Sequence, residues 1–375
     1  MAFTTIQDIV WAARQKLSTP MWEFITYGTD SDTTVLRNRQ AFDSLAFRPR
    51  IMRDVSDIDI ATEIIGEPLR MPVMLSPVGA LRRIDPTSTG TVAAARAVAD
   101  FGVMQVVSGV IPDYAEIPKA SGARLVYAIQ GDIEQAFADD LPERAVEAGY
   151  RAIAFVSEAA YFSRRERDIT SGLISGRKSP QSYATYLRER RAERESGPIA
   201  NDKALKFDWK LLEKIKQRSK LPLFLKGVTT GEDAVRALDH GVDVLYVSNH
   251  GGRALDHCRG TADALVEVVA AARGRADVIV DGGITRGSDI VKAVARGAKA
   301  VCIGRLQAWA FAAAAGPGVL RMLEILEEEI VVTMGLLGVS SLAELTPDHL
   351  VPAEPVYAPH PLNAFPIVME RLRHL

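Results

Sequence analysis

The chain has 375 residues, of which 47% are hydrophobic and 25% are charged, a composition that argues against disordered, collagen-like and coiled-coil proteins. Its 45 basic and 47 acidic residues give a net charge of −2, so no charge excess favours nucleic acid or an anionic membrane as partner. Two cysteines, Cys258 and Cys302, are too few for a disulfide framework or a cysteine-based metal site. This favours a reducing, cytoplasmic setting.

The N-terminal segment is predicted to form a helical cap with a small hairpin over residues 1–70. It lacks the basic and apolar stretches of a signal peptide. Elsewhere no uncharged apolar run approaches the roughly 20 residues that span a bilayer, so we expect no membrane segment. We expect one domain, with a barrel over 71–315 and C-terminal helices and a tail over 316–375.

Eight short apolar runs follow one another between about residues 70 and 310. They are PVMLS (72–76), VMQVVS (103–108), RLVYAI (124–129), AIAFVS (152–157), PLFLK (222–226), VLYVS (244–248), VIVDG (278–282) and AVCIG (300–304). Continuous apolar character is typical of strands buried on both faces. Alanine-rich amphipathic segments separate them and end at glycines such as Gly102, Gly241 and Gly297, as helices do. The alternation predicts an α/β protein with a closed (β/α)8 TIM barrel.

A long gap in this alternation, between about residues 159 and 208, follows the fourth strand. Its Gly, Ser and Pro content and its RERRAERE run predict a mobile, solvated insertion over 170–207. The alternating charges are typical of an exposed helix face, although a docking site is an alternative.

Polar residues occupy the ends of almost all the predicted strands, where a barrel places its active site. Charged and histidine side chains are found there, and so are small polar residues and glycine. The set comprises Ser76, Ser108, Tyr127, Glu158, Lys226, Ser248, His250, Asp281 and Gly304 with Arg305.

The segment SNHGGR (248–253) is the most informative of these strand ends. Histidine suits proton transfer near neutral pH, and arginine suits bidentate capture of a carboxylate. The two intervening glycines allow a tight turn or a close approach to a ligand. Taken alone, His250 could be structural, but its spacing to Arg253 favours catalysis.

Two glycine-containing strand ends predict a phosphate site. Asp281-Gly282-Gly283 ends the seventh strand and Gly304-Arg305 the eighth, the loops that bind phosphate in many barrels. The alternative is a pair of ordinary tight turns. Lys226 ends an apolar strand, where it could form a Schiff base, oppose a negative cofactor or reach solvent.

Four motifs closely resemble the FMN-dependent α-hydroxy acid oxidases and dehydrogenases, which include glycolate and lactate oxidases and mandelate dehydrogenase. These are LKGV (225–228), SNHGGRALD (248–256), DGGITRGSD (281–289) and IGR (303–305). The similarity extends over nearly the whole chain and includes LRNRQAFDSLAFRPR (36–50), MPVMLSPVGA (71–80) and RRERDI (164–169). It implies an FMN enzyme that oxidises a 2-hydroxy acid to a 2-oxo acid, with O2 or another electron acceptor. It also implies a homo-oligomer, a tetramer or an octamer.

The resemblance also implies roles for individual residues. His250 matches the general base, and Glu158 stands where the family has an aspartate that orients and charges this histidine. Arg165 and Arg253 match the ligands of the substrate carboxylate, while Lys226 matches the lysine that faces the flavin N1–C2=O edge. The other implied cofactor contacts are Pro77, Val78, Gly79, Ser108, Tyr127, Ser248, Asp281, Gly282, Gly283, Thr285, Arg286, Gly304 and Arg305.

Departures from the family pattern are concentrated in the predicted substrate pocket. Phe24 and Ile129 replace tyrosines, Glu158 replaces aspartate, and Thr285 replaces an arginine of the phosphate motif. Loss of two phenol groups predicts a bulkier or more hydrophobic substrate, unless Tyr27 or Tyr127 supplies a hydroxyl. Two other functions stay open at this point: non-redox flavin chemistry of the isopentenyl diphosphate isomerase kind, and a catalytically silent scaffold.

Overall fold

The computed structural model describes residues 3–85, 89–108, 115–129, 135–159, 163–173 and 208–374. Most of the insertion predicted at 170–207 therefore lies outside the described residues.

Eight parallel strands close into a barrel in the order β10-β11-β4-β5-β6-β7-β8-β9. They are β4 (Val73–Leu75), β5 (Met104–Ser108), β6 (Leu125–Ile129), β7 (Ala152–Val156), β8 (Leu223–Val228), β9 (Val244–Val247), β10 (Asp277–Val280) and β11 (Ala300–Ile303). Six of the eight predicted apolar runs contain their strand completely, and the other two overlap β8 and β10, which extend one or two residues beyond them. The strands are almost entirely buried. The closed barrel confirms the TIM-barrel prediction. The apolar runs indicated these strands because a strand enclosed between the barrel interior and the helices needs apolar residues on both faces.

Helices follow the barrel strands along the chain. They are Ala80–Ile84, Thr89–Phe101, Ile117–Ser121, Gln135–Ala148, Glu166–Thr170, Trp209–Ser219, Gly231–Asp239, Thr261–Ala272, Gly287–Ala295 and Arg305–Leu337. Gly102, Gly241 and Gly297 follow three of them with positive φ angles of 95°, 78° and 97°. This left-handed conformation ends a helix at little steric cost only for glycine.

The N-terminal 70 residues form three helices, Ile6–Lys16, Thr19–Thr26 and Thr33–Asp43, and a hairpin of β2 (Thr62–Ile64) and β3 (Glu67–Leu69). Strand β1 (Leu45–Phe47) pairs with β12 (Leu350–Pro352) near the C-terminus. Two single-turn 3-10 helices, Leu342–Glu344 and Pro347–His349, precede β12, and helix Pro366–Leu372 follows it. The two ends of the chain are thus joined beside the barrel.

The long helix Arg305–Leu337 is kinked at Ala314 and Ala315, whose backbone angles are not helical. Its length and composition would allow it to cross a membrane, but 67% of its most apolar window is buried within the fold. Trp309 shows this packing, since its ring stacks on Trp22 at 5.6 Å and meets the edge of Phe365 at 5.9 Å. The burial is that of a core helix.

Candidate active site

The turn after β9 presents His250 and Arg253 at the carboxyl end of the barrel. His250 has φ +58°, and Gly251 and Gly252 follow with +62° and +76°. A histidine in the left-handed region is uncommon and is held here by its surroundings. The Gly252 amide donates to the Asn249 side chain at 3.1 Å, and the His250 amide donates to Ser248 Oγ at 3.1 Å.

Glu158 fixes the tautomer of His250. Its Oε1 lies 3.0 Å from His250 Nδ1, so the neutral ring donates from Nδ1 and leaves Nε2 to accept a proton. Burial and the nearby Lys226 charge lower the pKa of His250, although Glu158 opposes them. Burial acts to raise the pKa of Glu158, but Lys226 and His250 outweigh it and lower this pKa to about 2. The site therefore holds a carboxylate and a neutral imidazole at pH 7.

Two arginines are positioned by the end of the N-terminal helix Thr19–Thr26. Arg253 Nη1 donates to the carbonyls of Phe24 and, at 3.0 Å, Tyr27. Arg305 Nε donates to the carbonyls of Ile25 and Thr26 at 3.0 Å. Carbonyls at a helix C-terminus carry partial negative charge and suit this role. Burial lowers the pKa of Arg305 to about 10, so it stays a cation at neutral pH.

A third arginine lies beside Arg253. Arg165 Nε donates to the Arg253 carbonyl and to Ser163 Oγ, both at 3.2 Å. Asp168 is buried close to these cations, and burial raises its pKa although both arginines oppose the shift. Guanidinium groups side by side repel each other, which favours binding of an anion between them.

The loop after β10 is anchored to the helix Thr33–Asp43. Buried Arg39 donates to the Gly283 carbonyl at 2.7 Å and pairs with Asp289 through two bonds of 2.8 and 2.7 Å. Gly282 and Gly283 have φ +96° and +79°. A Cβ on Gly283 would lie 2.3 Å from the Asn38 carbonyl oxygen, so only glycine allows the loop to approach this closely.

A cavity of about 680 Å³ opens between this loop, the turn at His250 and the N-terminal helices. Most of the predicted site residues line it. They are Phe24, Pro77, Val78, Gly79, Ser108, Arg165, Lys226, His250, Arg253, Asp281, Gly282, Gly283, Thr285, Gly304 and Arg305. Its size is ample for a cofactor together with a small substrate.

The lining residues fit FMN. Asp281 Oδ1 is buried and has no hydrogen-bond partner among the described residues, whereas Asp281 Oδ2 accepts from Tyr246 at 2.9 Å. A ribityl hydroxyl is a suitable donor for this oxygen, since a buried acceptor without a partner is costly. The backbone at Gly282, Gly283 and Gly304 with the Arg305 cation would hold the phosphate. Lys226 would face the flavin ring.

Five predicted site residues do not line the cavity: Glu158, Ser248, Tyr127, Ile129 and Arg286. Glu158 and Ser248 lie behind it and reach it through His250 and Lys226. Tyr127 is fully buried, with its ring 5.2 Å from that of Tyr150. Ile129 is buried and does not line the cavity.

Arg286 departs furthest from the expected phosphate contact. Its Nη2 pairs with Glu329 at 2.6 Å, and its Nη1 donates to the Ala364 carbonyl at 3.3 Å. The guanidinium thus joins the loop after β10 to the long C-terminal helix. Arg305 lines the cavity and Arg286 does not, so Arg305 is the predicted phosphate cation that the described structure places there.

Several residues that line the cavity were not predicted, although Phe24 in the N-terminal helices and residues 77–79 after β4 were. Ile25, Val35 and Arg39 line the cavity from the helices, and Arg82 and Arg83 line it from the segment after β4. The 36–50 motif gave a signal for Arg39, because it contains this residue. The adjacent pair of arginines at 82–83 gave a second, which the motif comparison did not use.

Fold and site together define a barrel enzyme in which a proton acceptor and anion-binding arginines face a glycine loop suited to a phosphate. The chain belongs to the FMN-dependent dehydrogenase family, whose sequence profile matches residues 13–352. This finding confirms the predicted family and FMN as its cofactor.

Similar proteins of known activity cover almost the whole chain. The peroxisomal (S)-2-hydroxyacid oxidase GLO3 of Arabidopsis thaliana is 34% identical over 90% of this chain and 93% of its own. The L-lactate oxidase of Nostoc sp. is 35% identical over 89% of this chain and 94% of its own. Mandelate oxidase with (S)-2-phenylpropionate superimposes with a TM-score of 0.81 at 33% identity, over 95% of this chain and 100% of that one. A mandelate oxidase variant with the C4a-OH-FMN adduct has a TM-score of 0.78 at 34% identity, over 90% and 96% of the two chains.

Proposed function

We propose that this protein oxidises an (S)-2-hydroxy acid to the 2-oxo acid, and that its substrate is bulkier than glycolate or lactate. The observation that supports this proposal most directly is that His250, which is hydrogen-bonded to Glu158, lines the same cavity as Arg165 and Arg253. The two arginines bind the substrate carboxylate. His250 Nε2 removes the proton of the hydroxyl group, while Glu158 stabilises the imidazolium that forms. FMN, when bound, supplies the acceptor for the hydride equivalent, the Cα hydrogen with two electrons, that leaves the substrate carbon.

The preference for a bulkier substrate rests on Phe24. Its ring lies in the cavity wall with the Arg253 guanidinium carbon 4.6 Å from the ring centre. A phenyl ring cannot donate a hydrogen bond to the substrate, and such a bond to a charged group contributes roughly 1.5–3 kcal/mol. Neither Tyr27 nor Tyr127 lines the cavity, which argues against a replacement hydroxyl from either one. Apolar contact with the substrate side chain would compensate.

Redox chemistry is favoured over the isomerase-like and scaffold alternatives by the same residues. A base and two carboxylate ligands serve oxidation of a hydroxy acid, and a scaffold has no need of them. We further propose O2 as the electron acceptor, in line with the oxidases among the similar proteins. Cytoplasmic location and assembly as a tetramer or octamer stay predictions.

The experiment compares the second-order rates of flavin reduction by glycolate, lactate, mandelate and longer hydroxy acids without oxygen. We expect the rate constant to rise with side-chain size, and Phe24→Tyr to shift the preference toward small acids. Ile129→Tyr is the matched control, because Ile129 does not line the cavity and should shift it less. A kcat/KM for glycolate or lactate of roughly 10⁴ M⁻¹s⁻¹ or more would contradict the preference but not hydroxy acid oxidation itself.

A further inference from the structure

The Glu158 carboxylate contacts two titratable side chains, the neutral His250 imidazole and the Lys226 ammonium. Its Oε1 lies 3.0 Å from His250 Nδ1 and also accepts a hydrogen bond from Lys226 Nζ. The three side chains come from three successive strand ends: Glu158 follows β7, Lys226 lies within β8, and His250 follows β9. Because these strands are neighbours in the barrel, one oxygen atom can reach both partners.

The backbone beside Glu158 provides room for a side chain one methylene longer than aspartate. Gly227 has φ +111°, and a Cβ there would lie 2.7 Å from Glu158 Oε2. Strand pairing between β8 and β9 shifts its register between Lys226 and Val228, which places this glycine at an irregularity. The glutamate carboxylate therefore rests against a bare backbone between its two partners.

Lys226 is a buried cation with its charge compensated by neighbours. Its side chain is 3% exposed, donates to Ser248 Oγ at 2.8 Å and lies 3.8 Å from Asp281 Oδ2. Burial acts to lower the pKa of Lys226, but Glu158 and Asp281 outweigh it and raise this pKa. The lysine therefore stays protonated, and a carboxylate in contact with it cancels much of its field.

We propose that Glu158 is a positioning residue that couples the base His250 to the flavin-facing Lys226 and limits how strongly this lysine stabilises negative charge on the flavin. A carboxylate that touched His250 alone would leave the ammonium charge less compensated. The glutamate thus makes the bound flavin a weaker oxidant than an uncompensated lysine would. The proposal rests on FMN binding and on the orientation of Lys226 toward the flavin, and it does not depend on which substrate is oxidised.

Sulfite is the probe of this charge, because it adds to oxidised flavin and leaves negative charge at the N1–C2=O edge. Removing the Glu158 charge in Glu158→Gln should lower the sulfite dissociation constant about tenfold or more. The two-electron midpoint potential should rise by about 30 mV, which is that tenfold change at 29.6 mV per decade. Glu328→Gln, an exposed change on the long C-terminal helix, is the matched control and should alter neither quantity.

Glu158→Asp serves as the second variant and keeps the test decisive if Glu158→Gln loses its flavin. Its shorter carboxylate should keep a negative charge at the site but lie farther from Lys226. The sulfite dissociation constant should therefore fall by less than in Glu158→Gln. A sulfite affinity and a potential equal to wild type, in whichever of the two variants retains FMN, would overturn the proposal.

Measurements in the His250→Asn background distinguish the effect of Glu158 on Lys226 from its effect on His250. If Glu158 acts through Lys226, Glu158→Gln should tighten sulfite binding by a similar factor with or without His250. Loss of the effect in this background would show that Glu158 acts through histidine alone and would overturn the proposal. Sulfite binding and the potential need no hydroxy acid, so failure of the proposed function would leave this result interpretable.

Discussion

His250 is held neutral at the point where a proton must be accepted. Burial and the Lys226 charge lower its pKa, and a lowered pKa keeps a base deprotonated to more acidic pH. The second-order rate of flavin reduction should therefore stay level as the pH falls to about 6.5, the ordinary histidine value, and decline only below it. Stopped-flow measurements from pH 5 to 8 check this prediction. A decline that begins well above pH 7 would contradict it.

Replacement of the base tests its role directly. His250→Asn should retain FMN but slow flavin reduction by the substrate by roughly 10²–10⁴-fold, the usual contribution of a general base. Anaerobic stopped-flow absorbance measures the rate, and the flavin content confirms that the site is intact. Near-normal reduction in this variant would exclude His250 as the base.

Arg253 is expected to tolerate even a conservative change poorly. In Arg253→Lys an ammonium replaces the planar guanidinium, which contacts the Phe24 and Tyr27 carbonyls and has further N–H groups for a carboxylate. We expect the second-order rate to fall by about 10²-fold, from the loss of roughly 1.5–3 kcal/mol in charged hydrogen bonds. Affinity for the 2-oxo acid product, measured by flavin spectral shift, should weaken in parallel. Unchanged product affinity would remove Arg253 from the carboxylate site.

At the scale of elements, the loop after β10 depends on close contact with the helix Thr33–Asp43. Gly283→Ala would bring a Cβ within 2.3 Å of the Asn38 carbonyl oxygen, in addition to the strain of φ +79°. We expect a loss of about 3 kcal/mol or more in unfolding free energy and weaker FMN retention.

Gly122→Ala is the control for that change. Gly122 has φ +68°, but nothing lies within 4 Å of an added Cβ. It should cost only the backbone strain, about 1 kcal/mol, and leave FMN binding unaltered. Urea unfolding and flavin titration compare the two variants. Equal effects would contradict the role of close contact.

The buried pair of Arg39 and Asp289 anchors the same loop. Arg39→Gln leaves a buried carboxylate without its cation, so we expect a loss of about 3–5 kcal/mol in unfolding free energy. Arg39→Gln with Asp289→Asn should lose less than the sum of the two single changes, because the residues interact directly. Denaturant unfolding of all three variants measures the coupling. Additive losses would mean that the pair does not act as a unit.

The barrel elements could be predicted because a strand buried on both faces has a period-free apolar signature. The grouping of the strand ends was also predictable, because a parallel barrel brings the carboxyl ends of its strands to one face. Contacts between segments that are distant in the sequence could not be predicted. The partner of Arg286 is Glu329, 43 residues away on the long helix, and motif similarity alone assigned Arg286 to the phosphate. Tyr127 was similarly assigned from a strand end, although its ring packs beside Tyr150.

At the scale of the whole molecule, the site is assembled from the barrel and from the N-terminal helices. The carbonyls that hold Arg253 and Arg305 belong to the helix Thr19–Thr26 and to Tyr27, far from either arginine in sequence. Local pattern does not reveal such contacts, because they arise only when the cap packs on the barrel. The cap is therefore part of the active site as well as a structural cover.

The proposed function requires that FMN in this cavity accepts two electrons directly from the carbon of a 2-hydroxy acid while His250 accepts the hydroxyl proton. In the most direct measurement, the purified holoprotein is mixed anaerobically with a series of 2-hydroxy acids while the flavin absorbance is recorded. The cofactor released from a separate sample is identified by mass spectrometry. The account predicts FMN, bleaching by at least one bulky (S)-2-hydroxy acid, and recovery of the absorbance on admission of O2. A protein that binds no FMN, or whose FMN stays oxidised with every hydroxy acid in the series, would contradict it.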